Sequence, residues 1–258
     1  MNGVNKTLYI PLYGKAYVSQ RGIILNDKSA EMIWAKEGFR LKGKSKSRWL
    51  AYYMGMRSRV FDDWTREMIK SNPDATVIHI GCGLDSRIDR VGGAARWYDA
   101  DFPEVIAERC KYFNDTEDYN MISADVRNNS WLDSVFGETV VVVMEGVSMY
   151  LTPDELATLF GNIRERFGRV YLLMDCYTTL AARMSKIKNP INDVGVSQVY
   201  GMDDPEALSI TGMKYTRELE MTPEYLINEL SGMEKKLFKS LYAGKTSKKL
   251  YKLYEYKK

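Results

Sequence analysis

Between Thr76 and Tyr177 short apolar runs alternate with segments of helical spacing: TVIHIG at 76–81, RWYDAD at 96–101, YNMISAD at 119–125, TVVVVMEG at 139–146 and RVYLLMDCY at 169–177. Tight turns cannot join parallel strands, so this alternation marks a parallel sheet with crossover helices. Val140 to Met144 is apolar on both faces, which predicts a central strand covered on both sides. Upstream, Lys28–Lys36 and Trp49–Lys70 carry apolar side chains three and four residues apart, so residues 1–75 predict a helical cap that ends at Asn72-Pro73-Asp74. Thr152-Pro153-Asp154-Glu155 offers an N-cap, an N1 proline and first-turn acids, predicting a helix start, and Thr222-Pro223-Glu224 repeats the device.

The segment Thr178 to Met221 lacks clear periodicity and is too long for an ordinary connection, so it predicts a partly helical lid. The runs Lys236–Tyr242 and Leu250–Tyr256 have no helix between them and predict an antiparallel hairpin at the sheet edge. The expected organisation is one α/β domain over 1–258, with a helical cap (1–75), a ligand-binding core (76–177), the lid (178–221) and a last helix with the hairpin (222–258).

Charge and composition exclude several function classes. Lys plus Arg number 37 against 34 Asp plus Glu, and a net charge of +3 is too small to imply a nucleic-acid partner. The lysine-rich tail, Lys245 to Lys258, is expected to be a solvated strand whose lysines guard a sheet edge. No apolar run approaches the roughly 20 residues of a membrane span, and MNGVNKTLYI has no signal-peptide h-region, so a soluble cytoplasmic protein is expected. Cys82, Cys110 and Cys176 have no paired spacing, which leaves neither a zinc motif nor a disulfide framework. His79 is the single histidine, so no two-histidine metal site is available; its place in an apolar strand predicts a core residue.

The chemistry is expected where the first strand runs into Gly81-Cys82-Gly83-Leu84-Asp85-Ser86-Arg87, because a glycine turn lets a ligand approach the backbone closely. The third glycine of the dinucleotide fingerprint would fall on Ser86, which disfavours a pyrophosphate and, with it, an NAD-dependent oxidoreductase as the rival activity. Asp99 and Asp101 close the second strand, where a carboxylate can accept from both hydroxyls of a ribose. Asp125 beside Val126 suits an adenine amino group and ring face, and Glu145 ends the central strand. Acids at strand ends also cap the helices that follow. Four of them around one turn make a negative pocket suited to a sulfonium such as that of S-adenosylmethionine.

Taken in order, VIHIGCGLDSR, WYDADFPEVI, ISADVRNNSW and VMEGVSMYLTPDEL resemble the leucine carboxyl methyltransferase family, specifically its bacterial polyketide O-methyltransferase-like branch. TLYIPLYGKAYVSQRGIILNDKSAEMI and MRSRVFDDW extend the likeness upstream, and it runs to about Phe160. It implies a Rossmann-like class I methyltransferase fold, whose seven-stranded sheet has six strands parallel and one reversed, with S-adenosyl-L-methionine as cofactor. Carried over by position, it implies that Gly81, Cys82 and Gly83 pack against the cofactor's amino-acid end, and that Asp101 holds the ribose with Asp99 in reserve. Asp125 and Val126 would bracket the adenine, Glu145 would approach the ammonium, and Arg57 would bind the carboxylate with Arg59 as the alternative. Lys15 stands where bacterial members more often carry arginine, and a lysine is a point charge without the bidentate fork.

In-line methyl transfer requires near-attack geometry and exclusion of water, and a dedicated base is optional. Tyr150, in the loop after the central strand, is the candidate catalytic residue. No histidine falls on the expected acceptor side, which favours an acceptor already ionised: a carboxylate, or an acidified hydroxyl, on a small molecule. Two other readings are methylation of a protein C-terminal carboxylate and a non-catalytic binding protein acting through the basic tail.

Overall fold

The computed structural model describes residues 8–37, 43–185, 198–244 and 246–258. Its cap is α1 (Tyr9–Gln20), α2 (Lys28–Glu37) and α3 (Arg48–Ser71). There follow β1 (Thr76–Ile80), α4 (Arg87–Val91), β2 (Arg96–Asp101), α5 (Pro103–Arg109), β3 (Tyr119–Ser123), β4 (Thr139–Met144), α6 (Pro153–Arg166) and β5 (Arg169–Tyr177). The rest is α7 (Thr179–Ser185), β6 (Lys214–Leu219), α8 (Glu224–Ile227), α9 (Gly232–Tyr242) and β7 (Tyr251–Lys257). The strands form one sheet in the order β3-β2-β1-β4-β5-β7-β6. β1 to β5 pair in parallel, while β7 runs antiparallel to both β5 and β6 and is the reversed strand.

Side chains alternate across the sheet, and each face has its own cover. Val77, Val141, Val143 and Leu173 pack with Tyr52, Phe61 and Trp64 of α3. Ile78, Val140, Val142 and Leu172 pack with Phe160 and Ile163 of α6 and with Phe167. Every residue of β4 is buried, as expected of a strand covered on both sides. α1 lies so close to α3 that a Cβ on Gly14 would stand 2.8 Å from the Met54 Cβ. That approach carries the next residue, Lys15, into the protein interior.

The hairpin expected from 236–242 is not there: that stretch belongs to α9, whose Met233, Leu237 and Leu241 recur every four residues. β7 pairs instead with β6, from the segment expected to be the lid. Most of KYTREL is exposed, so it carries little apolar signal of a strand. The tail strand is consequently interior to the sheet rather than at its edge, with Arg217 and Lys252 paired across strands to Glu255 and Glu218. In the lid segment, 186–197 lies outside the described residues; the rest holds α7, a 3-10 turn (Pro205–Thr211) and β6. Pro223, rather than Thr222, is the N-cap of α8, which is a single turn.

At α6 the start signal works as expected: the Thr152 hydroxyl accepts from the Glu155 amide at 3.2 Å, and the Glu155 carboxylate accepts from the Thr152 amide at 2.8 Å. Thr152→Ala should therefore cost about 1 kcal/mol and lower the melting temperature by about 2–4 °C, read by thermal unfolding. A second prediction concerns Asp99. Its buried carboxylate accepts from Trp97 Nε1 at 2.8 Å, from the Tyr119 hydroxyl at 2.7 Å and from Arg109. Burial pushes this carboxyl up, but Arg109, His79 and Tyr119 outweigh it and bring it to about 2. A folded-state value below the unfolded one stabilises at neutral pH, so roughly 2 kcal/mol should be lost as pH falls from about 4 to 2. Asp99→Asn should flatten that part of an acid-unfolding curve.

Candidate active site

β1 has β2 on one side and β4 on the other, so the chain's direction of winding reverses there. Ligands of open α/β sheets bind outside the carboxyl ends of the strands at such a point. A cavity of about 1120 Å³ opens at that place, larger than the ~300–1,000 Å³ usual for one small ligand. It reaches from Asp125 and Val126, after β3, to Tyr177 of β5 and Tyr251 of β7.

Gly81 and Gly83 both take positive φ, 67° and 52°, a backbone conformation that suits residues without a Cβ. A Cβ on Gly81 would also run into Val147, so the turn and the loop after β4 fit only with glycine there. The Asp101 carboxylate is fastened to this turn. One oxygen accepts from the Gly83 amide and the other from the Phe102 amide, both at 2.8 Å. Each oxygen keeps acceptor capacity toward the cavity. Burial holds the Asp101 carboxyl above its ordinary value despite these two amides. Cys82, between the glycines, is buried and its thiol is pushed well up by burial, which leaves no thiolate.

The cap supplies cations. Lys15 Nζ stands 3.3 Å from Asp85, and Arg57 lies between two acids, with Nε donating to Glu145 at 3.0 Å and Nη1 to Asp175 at 3.0 Å. Glu145 also accepts from Arg87 and from the Ser58 hydroxyl. Burial alone would raise the Glu145 carboxyl, but Arg57, Arg87 and Lys15 bring it down to about 2. Asp85 is held well below the carboxylate range in the same way, by Arg90, Lys15 and Arg87 against burial. At the other end Asp125 is half-buried and paired with Arg127, whose hydrogen bonds lower its carboxyl.

Lys15, Arg57, Gly81, Cys82, Gly83, Asp101, Asp125, Val126, Glu145 and Tyr150 all line this one cavity. The two reserve residues do not. Asp99 is engaged behind the wall, and Arg59 is turned to Asp63 and to the Ile24 carbonyl. His79 is buried as expected, with Nδ1 3.3 Å from Asp99, and it also touches the cavity. Sequence reasoning missed Asp85, Tyr251 and, behind the wall, Asp175. Asp85 was visible in the glycine string and Asp175 is one more acid near a strand end, whereas nothing in the sequence marks Tyr251. An aromatic wall closes the β7 side: Tyr251 meets Tyr177 at 4.9 Å and Tyr53 at 6.3 Å between ring centroids, and Tyr53 meets Tyr242 at 5.7 Å.

Two curated relatives span most of the chain. The tetracenomycin polyketide synthesis O-methyltransferase TcmP of Streptomyces glaucescens is 26% identical, over 91% of this chain and 89% of that protein. The S-adenosyl-L-methionine-dependent methyltransferase dpfgK of Gibberella zeae is 26% identical, over 87% and 85% respectively. Among solved structures, an S-adenosylmethionine-dependent methyltransferase from Mesorhizobium loti has a TM-score of 0.53 at 10% identity, covering 76% of this chain and 98% of that one. The N-methyltransferase NodS of Bradyrhizobium japonicum WM9 has a TM-score of 0.50 at 12% identity, covering 78% and 87%. These two share the fold, which is that of Rossmann-like methyltransferases. The sequence pattern of leucine carboxyl methyltransferase matches residues 11–164, more than half of the chain, and the chain belongs to that family.

Proposed function

We propose that this methyltransferase uses S-adenosyl-L-methionine to methylate an oxygen of a small molecule, and that the oxygen belongs to a carboxylate. The observation that carries the cofactor assignment is Asp101: a strand-end carboxylate, clamped to a positive-φ glycine turn, with acceptor capacity facing the cavity. A vicinal diol presents two donors, and such a carboxylate is their complement. The wall also suits the rest of the cofactor. Asp125 and Val126 offer an acceptor and an apolar face for the adenine, and Lys15 and Arg57 offer cations to the amino-acid carboxylate. Glu145 would serve the ammonium from beside Arg57.

The cofactor supplies a methyl group activated by a sulfonium. Bound there, it would give that methyl to an acceptor oxygen, with the electron pair of the carbon–sulfur bond left on sulfur. The chain's residues hold both reactants and keep water out, with apolar and aromatic side chains lining the acceptor side. A carboxylate acceptor is already ionised at neutral pH and needs no base. His79, the only histidine, is set beside Asp99 and Asp101 on the nucleoside side, away from the tyrosine wall. Tyr150, which lines the same cavity, would orient the acceptor. TcmP acts in polyketide synthesis, and a chamber walled by tyrosines suits a small organic acid better than a peptide chain end.

Calorimetric titration with S-adenosylmethionine should give micromolar binding to the wild type, weakened roughly tenfold or more by Asp101→Ala, with no binding of NAD. Absence of binding, or preference for NAD, would overturn the cofactor assignment. Incubation with methyl-labelled cofactor and a panel of carboxylic acids and phenols should give a base-labile ester; a base-stable ether would replace the carboxylate by a hydroxyl. Gly81→Ala should abolish transfer, since the new methyl group meets Val147 in a positive-φ turn.

A further inference from the structure

Asp175, in β5, is fully buried and lies behind the cavity wall, not in it. Its carboxylate gathers three other parts of the chain. One oxygen accepts from the Gly146 amide at 2.7 Å, in the loop after β4. The other accepts from Arg57 Nη1 at 3.0 Å and from the Tyr251 hydroxyl at 2.5 Å. Tyr251 in turn accepts from Arg57 Nη1 at 2.8 Å. Both hydrogens of Nη1 are therefore committed, and that of Nε goes to Glu145. Nη2 stands 2.9 Å from the same Glu145 oxygen, and it is the nitrogen with a second hydrogen to offer.

One carboxylate suffices to neutralise a buried guanidinium, and Arg57 has two. A second buried acid is costly, and apolar replacements of buried ion pairs are often neutral or stabilising. What the second acid adds is direction: Glu145 holds Arg57 along Nε and Nη2, and Asp175 with Tyr251 holds it along Nη1. Among the described residues Arg57 is thus fixed from both sides, and it lines the cavity with one Nη2 hydrogen outside these bonds. The same carboxylate fixes the amide of Gly146, beside the loop residues that line the cavity.

We propose that Asp175 is a positioning residue for cofactor binding, acting through Arg57 and the Tyr251 hydroxyl so that the guanidinium meets the carboxylate of the cofactor's amino-acid part. The proposal rests on the function proposed above. Asp175→Asn keeps the size of the side chain and an acceptor for Gly146, but sets an amide nitrogen against Arg57. Two probes separate direction from general damage: S-adenosylhomocysteine, which has the amino-acid end, and 5′-methylthioadenosine, which lacks it. By calorimetric titration, Asp175→Asn should weaken the first by roughly tenfold or more and leave the second within about twofold. Equal weakening of both, or no weakening of the first, overturns the proposal. Tyr251→Phe removes the bridging hydroxyl and keeps the ring; it should show the same selective loss, roughly threefold, and it decides alone if Asp175→Asn does not fold. If the wild type binds neither probe, the cofactor assignment itself falls, and the positioning role with it.

Discussion

A guanidinium buried beside two carboxylates ties together four separate parts of the chain: Arg57 comes from α3, Glu145 follows β4, Asp175 lies in β5 and the Tyr251 hydroxyl is on β7. The network runs on from Glu145 to Arg87, and from Arg87 to Asp62 and Asp85. Asp85 carries it to Lys15 on α1 and to Arg90, which reaches Asp27. Nearly all of these groups are out of water, where an unpaired charge is costly and removing one partner commonly takes 3–5 kcal/mol. Each charge is tolerable because its neighbours are in place. The cap, the glycine turn and the sheet therefore have one shared arrangement rather than several independent ones.

There is a division of chemistry between the layers. The sheet supplies acids where its strands end, at Asp101, Asp125, Glu145 and Asp175, because these positions are delivered to the switch point by the parallel topology. The helical cap supplies the opposing cations, Lys15 from α1 and Arg57 from α3. Arg57 stays buried against Glu145 and Asp175, and Lys15 against Asp85 of the glycine turn. Residues of both layers line the one cavity, so the cap is as much a part of the candidate site as the strands are.

How much of this the sequence reveals follows from what each residue does. β1 to β5 are legible because their side chains are apolar runs bounded by turns, and the glycine turn with its trailing acids is legible because few other uses require that spacing. β6 is not, since KYTREL lies at the edge and most of its residues meet solvent. Asp99 and Asp101 stand two residues apart on one strand, and spacing cannot rank them. Depth does so: Asp99 sits within reach of Arg109 and Tyr119, and Asp101 sits one step further out, at the turn. Arg57 shows the same limit, because a surface cluster with Arg59, Asp62 and Asp63 fits the local sequence equally well. Its true partners come from strands about ninety and more residues away.

β7 is the seventh strand along the chain, yet it fills the gap between β5 and β6. On the ribosome, β1 to β5 can pair as they emerge, but β6 has nothing to pair with until β7 has been made, and Arg57 lacks the Tyr251 hydroxyl until the same moment. A pairing that spans so many residues is slow to find and leaves strand edges open meanwhile. The nascent protein thus passes through a stage in which the strands around the glycine turn can pair and the tyrosine wall on β7 is not yet made.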